Sequence, residues 1–478
     1  MINEKILNNI YILLISLSLF NSKELAQSNL VNQFTGIYFS SNDNYRKSNN
    51  IFDLSSLNLT ENDYELYIDG TKEEKISNTY PFIKGVEYNI KIKFNKLLVK
   101  TENMFKECSS LIYLDLSQFD TSQVTNMNKM FYGCSSLTSI KLNNFNTEKV
   151  IFMEDMFYSC ESLIDLNLSS FNTMNVFSME SMFGGCSSLM KLDLSSFNTK
   201  NVKKMGWLFS YCESLTSIDL SNFNTRKVKT MQSMFSNCKS LTKIDLSEFH
   251  TENVENMESM FTDCTSLTSL NLNNFDTGNV ITMNSMFYNC ESLKEVNLYS
   301  FNTQKVKTMA NMFFGCYSLT SVDLSSFDTR EVTYVSNMFY NCASLTSIDL
   351  SSFNTQKIVN SGNMFNNCIS LRNINLSSFN STSFEYIYNM FYNCTSLTSL
   401  DLSNFKFGNV INMEKMFYGC NSLKLIAMNN CEMKKDISLN LAFYDLGENG
   451  TILVPKDKCN KLIEELISSG NNWKIEYV

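Results

Sequence analysis

The chain has 478 residues, a formal charge of −9 and a pI near 5.0, with only 2 Pro, 15 Gly and one His against 15 Cys, 26 Met and 37 Phe. One histidine and few glycines leave little material for histidine catalysis, phosphate loops or multi-ligand zinc sites, and the negative charge disfavours nucleic acid, whose phosphates call for clustered Lys and Arg. Hydrophobic content of 44% is enough for a core and too high for disorder.

In chain order, Ile10 to Phe20 is an apolar run of eleven residues, too short to span a bilayer and of the length of a signal-peptide core. Residues 1–26 are read as a signal peptide, although Glu4 offsets Lys5 and Asn21 to Ala26 offers no small-x-small cleavage site. The rest of the sequence has no second run of this kind, so no membrane span is expected in the mature chain. Residues 27–100 alternate polar and apolar side chains at Tyr64 to Asp69 and Val86 to Phe94, the pattern of short strands, and are expected to form a β-rich N-terminal cap or a small module.

From residue 101 to 430 the chain repeats. Thirteen cysteines, from Cys108 through Cys134 and Cys160 to Cys420, fall 26 residues apart without a slip. A fixed period of this size marks a solenoid, in which each unit buries its apolar face against its neighbours. Within one unit, Leu114 and Leu116 alternate with Tyr113, Asp115 and Ser117, which is a strand with one wet face. Val124, Met127, Met130, Phe131 and Cys134 then recur at spacings of three and four, which predicts a short helix. The Asn126 column, mostly Asn, Ser or Thr, would cap its N-terminus. The Gly133 column, mostly Gly, Asn or Asp, would take the left-handed conformation at its end. Phe119, Phe145 and their successors to Phe405 would stack as an internal spine.

The motifs Met130-Phe131-Tyr132-Gly133-Cys134-Ser135-Ser136-Leu137 and Leu116-Ser117-Gln118-Phe119-Asp120-Thr121 resemble the BspA-like leucine-rich repeat surface proteins. The resemblance implies a protein that is secreted or displayed on a cell surface and adheres to host molecules, matrix or neighbouring cells; residues 27–100 offer no set of nucleophile, base and orienting group, so no enzyme is expected. Together with the period, it gives the expected fold class: α/β, a leucine-rich-repeat-like solenoid of about 13 coils, with a parallel β ribbon on one face and short helices on the other. Both ends would be capped, the second by residues 431–478.

A column of thirteen thiols is read as core packing: there are no Cys-x-x-Cys pairs, and no metal or cofactor is expected. Outside the column, Cys431 and Cys459 could form a disulfide that staples the last coil. On the wet face of the ribbon, Asp115, Asp193, Asp219, Asp245, Asp323, Asp349 and Asp401 share one column with Lys141 and several Asn. Stacked carboxylates repel, so the column is either a hydrogen-bonded polar ladder without a ligand or a surface for a basic protein patch, a glycan or Ca²⁺. Trp207 and Tyr299 depart from their columns without help from the core, as contact anchors or as drift. His250 sits in an Asn/Asp turn column. The expected partner is a protein or glycan ligand. An intracellular scaffold of the same fold is the alternative, favoured by the many unpaired thiols.

Overall fold

The structure, a computed structural model, describes residues 32–40, 49–74, 77–380, 382–434 and 436–478. The expected signal peptide lies outside the described residues. Three antiparallel strands, β1 (Asn32–Phe39), β2 (Tyr64–Ile68) and β3 (Glu87–Phe94), form a sheet at the N-terminal end. β1 also pairs with β4 (Leu111–Asp115), the strand of the first full coil, so this sheet runs directly into the repeat.

The repeat itself is a parallel β-solenoid, and its two faces both depart from the expectation. On the ribbon face, strand geometry occurs at β4, at β5 (Ser139–Lys141), and again from β6 (Ser269–Asn271) and β7 (Glu295–Asn297) onward. Between residues 142 and 268, and again in the coil of residues 321–323, the ribbon has no strand among the described residues. The unbroken ladder lies on the other face. Parallel bridges run from Lys100 to Asn126, Phe152, Ser178 and onward to Ser438, thirteen bridges linking fourteen rungs. The ladder thus continues past residue 430.

That second face was expected to be helical, and it is not. The single α-helix among the described residues is α1 (Asn460–Ser468), beyond the coils. The spacing of three and four is real, but alternate amides are used between coils. Met127, Lys129, Phe131 and Gly133 donate to the carbonyls of Phe152, Glu154, Met156 and Tyr158 in the next coil, at 2.7–3.0 Å. The intervening Met130, Tyr132 and Cys134 close short turns onto Met127, Lys129 and Phe131. An α-helix would need those same amides for bonds four residues back. Two residues per coil, four apart, also have positive φ, which stops a right-handed helix: Lys129 (55°) and Gly133 (71°), and likewise Asn337 (56°) and Asn341 (58°). The Gly, Asn and Asp of the second of these columns are therefore left-handed as expected, but they turn a coil rather than end a helix.

The core is a set of stacks. The Phe131 column, from Phe105 to Phe443, is an unbroken pile of fourteen rings with centroids 5.2–6.2 Å apart. It is a second spine beside the Phe119 column, whose pairs such as Phe145 with Phe171 stand 5.9 Å apart. Each thiol from Cys134 to Cys420 points at a backbone carbonyl one coil back: Cys134 Sγ lies 3.0 Å from the Phe105 oxygen, Cys264 Sγ 3.1 Å from that of Phe235. That carbonyl already accepts an amide in its own turn, so the thiol fills its second lone pair. A third buried column is polar. Thr277 Oγ1 donates to the Asn302 carbonyl (2.9 Å) and accepts from the Asn302 amide (2.8 Å), and most of the column from Thr121 to Thr329 repeats this bridge.

At the two ends the open ladder meets other chain. The Asp53 amide donates to the Met104 carbonyl (2.7 Å) and Ser56 Oγ to that of Glu102 (2.8 Å), covering acceptors of the first coil. Beyond a further strand pair, β8 (Ser347–Asp349) with β9 (Asn373–Asn375), the far end closes on one parallel sheet. It is formed by β10 (Ser399–Asp401), β11 (Leu425–Ala427), β12 (Thr451–Val454) and β13 (Lys474–Tyr477). Asn471 Nδ2 donates to the Phe443 carbonyl at 2.6 Å, the position a column cysteine would take in a further coil. Cys431 and Cys459 are joined by a disulfide with Cα atoms 6.2 Å apart.

Candidate binding surface

The ribbon's outer face is built around the aspartate column. From Asp115 to Asp401, in every coil but that of Lys141, the ribbon segment ends where an Asp or Asn Oδ1 accepts the amide two residues on, an Asx turn. Asp193 takes the Ser195 amide at 2.9 Å, Asp219 that of Ser221 at 3.0 Å, and Asp245, Asp323, Asp349 and Asp401 share the same pattern at 2.9 Å. Asn271 and Asn297 do the same at 3.2 Å. The amide accounts for the residue type: a short side chain with an acceptor is needed, and its charge is not.

The same bond fixes the charge state. The Ser195 amide and hydroxyl hold Asp193 below the ordinary carboxylate value, and Ser221 and Ser247 do so for Asp219 and Asp245. Repulsion from the preceding aspartate acts against this and is the weakest contributor, so the stacked carboxylates stay ionised. Asp115 is half-buried and differs from the rest: burial pushes it up, but Ser117 and the Lys141 ammonium 3.3 Å away bring it below the usual value.

Two adjoining hollows open on this face. One, about 590 Å³, is lined by Ser269, Asn271, Glu295, Asn297, Tyr299 and Asp323. The other, about 640 Å³, shares Asp323 and continues over Asp349, Arg372, Asn373, Asn375 and Asp401. Tyr299 stands at the edge of the first and is 79% exposed. Asp193, Asp219 and Asp245 lie on the same face outside both hollows.

Trp207 lies elsewhere. It occupies the left-handed Lys129 column of the second face (φ 54°), half-buried, with its amide bound to the Gln232 carbonyl at 2.8 Å. Trp207 and Tyr299 therefore share no surface. The neighbouring aromatic stripe is stacked ring on ring, Tyr288, Phe314 and Tyr340 at 4.5 and 4.6 Å, which leaves edges rather than faces outward. The buried thiols are held protonated, with burial pushing Cys186, Cys264 and Cys420 up to about 12. His250 keeps the turn through its amide on Thr225 Oγ1 (2.7 Å), and its ring meets the Arg226 guanidinium at 2.9 Å.

Among the described residues no helix is long and apolar enough to cross a membrane. Several solved structures align with the chain at low similarity. A leucine-rich cell surface protein of Faecalibacterium prausnitzii A2-165 is 16% identical, with 74% of this chain and 77% of that one covered and a TM-score of 0.30. The complex of TLR13 with ssRNA13 is 18% identical, with 69% and 49% covered and a TM-score of 0.27. The pneumococcal vaccine antigen PcpA is 16% identical, with 61% and 78% covered and a TM-score of 0.25. No curated protein matches. The family model described as "Mycoplasma protein of unknown function, DUF285" matches residues 82–191, 178–300, 259–372 and 345–449, about three quarters of the length, and the chain belongs to that family.

Proposed function

We propose that the chain is a non-catalytic repeat protein of BspA-like type, secreted or displayed on a cell surface, that binds a protein or glycan through the outer face of its ribbon. The observation that carries this reading is the pair of hollows meeting at Asp323, open, lined by carboxylate, amide and aliphatic side chains and flanked by the exposed ring of Tyr299. A ring beside turn-fixed carboxylate and amide groups suits recognition of a polar ligand with apolar patches. In this reading residues 1–26 are a signal peptide, 27–100 an N-terminal cap, 101–430 the solenoid proper and 431–478 a C-terminal cap.

The test is binding of the purified chain to glycan arrays and to immobilised matrix proteins, compared with Tyr299→Ala and Asp323→Asn. The asparagine keeps the Asx turn, so a loss in that variant reports on contact rather than on folding. Retained binding in both variants removes the ribbon hollows from the proposal. The thirteen free thiols favour the second reading, an intracellular scaffold of the same fold. Protease shaving of intact cells separates the two, since a protected chain is an internal one.

A further inference from the structure

The second face carries a patch that the repeat does not require. Its outward column stacks Ile151, Phe177, Lys203 and Lys229, each amide bonded to the carbonyl of the preceding one at 2.8–2.9 Å. These side chains therefore lie over one another on four neighbouring rungs, about 15 Å in all. Beside the first two rungs stand Phe152 and Met174; Ile151, Phe152, Met174 and Phe177 are 37–45% exposed. Beside the next two stand Lys200, Lys204, Arg226 and Lys227. The corner segments 200–204 (Lys-Asn-Val-Lys-Lys) and 226–230 (Arg-Lys-Val-Lys-Thr) hold six cations and no acid in a chain of net charge −9.

Part of this charge is already used. Lys204 pairs with Glu180 at 3.2 Å, Arg226 with Glu252 at 3.5 Å and Lys229 with Glu255 at 3.1 Å. Lys200, Lys203 and Lys227 have no carboxylate partner among the described residues. Lys203 Nζ lies 4.8 Å over the Phe177 ring, and Lys227 reaches only the Asn201 amide oxygen. The result is an apolar half next to a basic half on a rigid outer face.

We propose that this patch docks on an anionic lipid surface, with Ile151, Phe152, Met174 and Phe177 at the acyl boundary and Lys200, Lys203 and Lys227 among the headgroups. Five of its six cations are lysine. Lysine is depleted from protein interfaces, where arginine is preferred, whereas it serves well as a point charge at anionic headgroups. Exposed aromatic and aliphatic residues beside a basic strip are the composition of interfacial membrane binding. The proposal does not depend on the ribbon hollows, which lie on the other face.

The test is sedimentation of the full chain with vesicles of phosphatidylcholine alone and of phosphatidylcholine mixed equally with phosphatidylglycerol. The wild type is expected to bind the anionic vesicles, to leave the neutral ones, and to weaken as salt rises. Each lysine near an anionic surface is worth roughly fivefold in partition, so Lys200→Glu, Lys203→Glu, Lys227→Glu together should lose on the order of a hundredfold or more. Phe177→Thr, which installs the residue found at Thr125 and Thr333, should weaken binding without disturbing the rung. Lys191→Glu with Lys305→Glu, both off the patch, should leave binding unchanged. Failure of the wild type to bind anionic vesicles overturns the proposal, as does a triple variant that binds like the wild type. Retention on polyglutamate beads but not on vesicles assigns the patch to an acidic polypeptide and overturns it equally.

Discussion

Thr277→Val should destabilise the solenoid more than the smaller Thr277→Ser. Valine has nearly the shape of threonine and adds apolar surface, so an account of the column as packing would expect it to be neutral or better. The hydroxyl, however, bridges the Asn302 amide (2.8 Å) and the Asn302 carbonyl (2.9 Å) from a fully buried position. Valine leaves both backbone groups without a partner, at about 1–3 kcal/mol each, and the gained methyl offsets about 1 kcal/mol, so the net cost is about 3 kcal/mol. Serine keeps both bonds and loses one methyl, about 1 kcal/mol. Urea unfolding followed by circular dichroism at one temperature measures the order of the midpoints, with equal slopes required because an array need not unfold in one step. A valine variant as stable as the serine variant, or more so, would refute the view that this column is held by hydrogen bonding.

The other expectations concern thiols, acid and one aromatic. Alkylation of the native chain should label none of the thirteen buried thiols, label thirteen after unfolding without reductant, and label fifteen after reduction. Mass spectrometry counts them, and rapid native labelling of the column would show that the coils open. The ribbon aspartates have folded values below the ordinary 3.8, so their stabilising share is present above that value and should be lost as pH falls below it. Asp219→Asn keeps the turn and should reduce this acid sensitivity, read as a smaller drop in unfolding midpoint between neutral and acid pH. An unchanged drop would mean that Asp219 takes no part in it. Trp207→Asn should raise stability by about 1 kcal/mol, because asparagine tolerates a φ of 54° that tryptophan resists. A lower midpoint would show that the indole's packing outweighs its backbone strain.

The period, the stacked core columns and the exposed aspartate column are all legible in the sequence, because a fixed repeat converts directly into stacking. The helix expected on the second face fails for a specific reason. Spacings of three and four at Val124, Met127, Met130 and Cys134 identify one buried side, but two tight turns per coil produce the same spacing as a helix. The distinguishing signal is present: the Lys129 column is rich in Asn, Ser and Asp, and the Gly133 column four residues later holds Gly, Asn and Asp. Two such columns inside one supposed helix point to two left-handed positions. Trp207 resembles a surface anchor for the same reason, since solvent exposure and backbone restriction both select the polar residues that fill its column. The bond from each thiol to a carbonyl one coil back is not legible, because it depends on the offset between coils and not on any pattern within one.

Each joint of the unbroken ladder repeats the same set of bonds, with amides such as Met127, Lys129 and Phe131 donating toward the C-terminal end and the outward residue of each rung, such as Phe177, donating back, so the fourteen rungs form a stack with equivalent joints. A coil can therefore be duplicated or deleted in frame without creating a contact absent from its neighbours. Length becomes a variable that selection can adjust while the terminal segments stay as they are. A lineage of such genes is expected to differ in the number of units sooner than in the residues of any core column. Its members would present the same surface chemistry at different reaches.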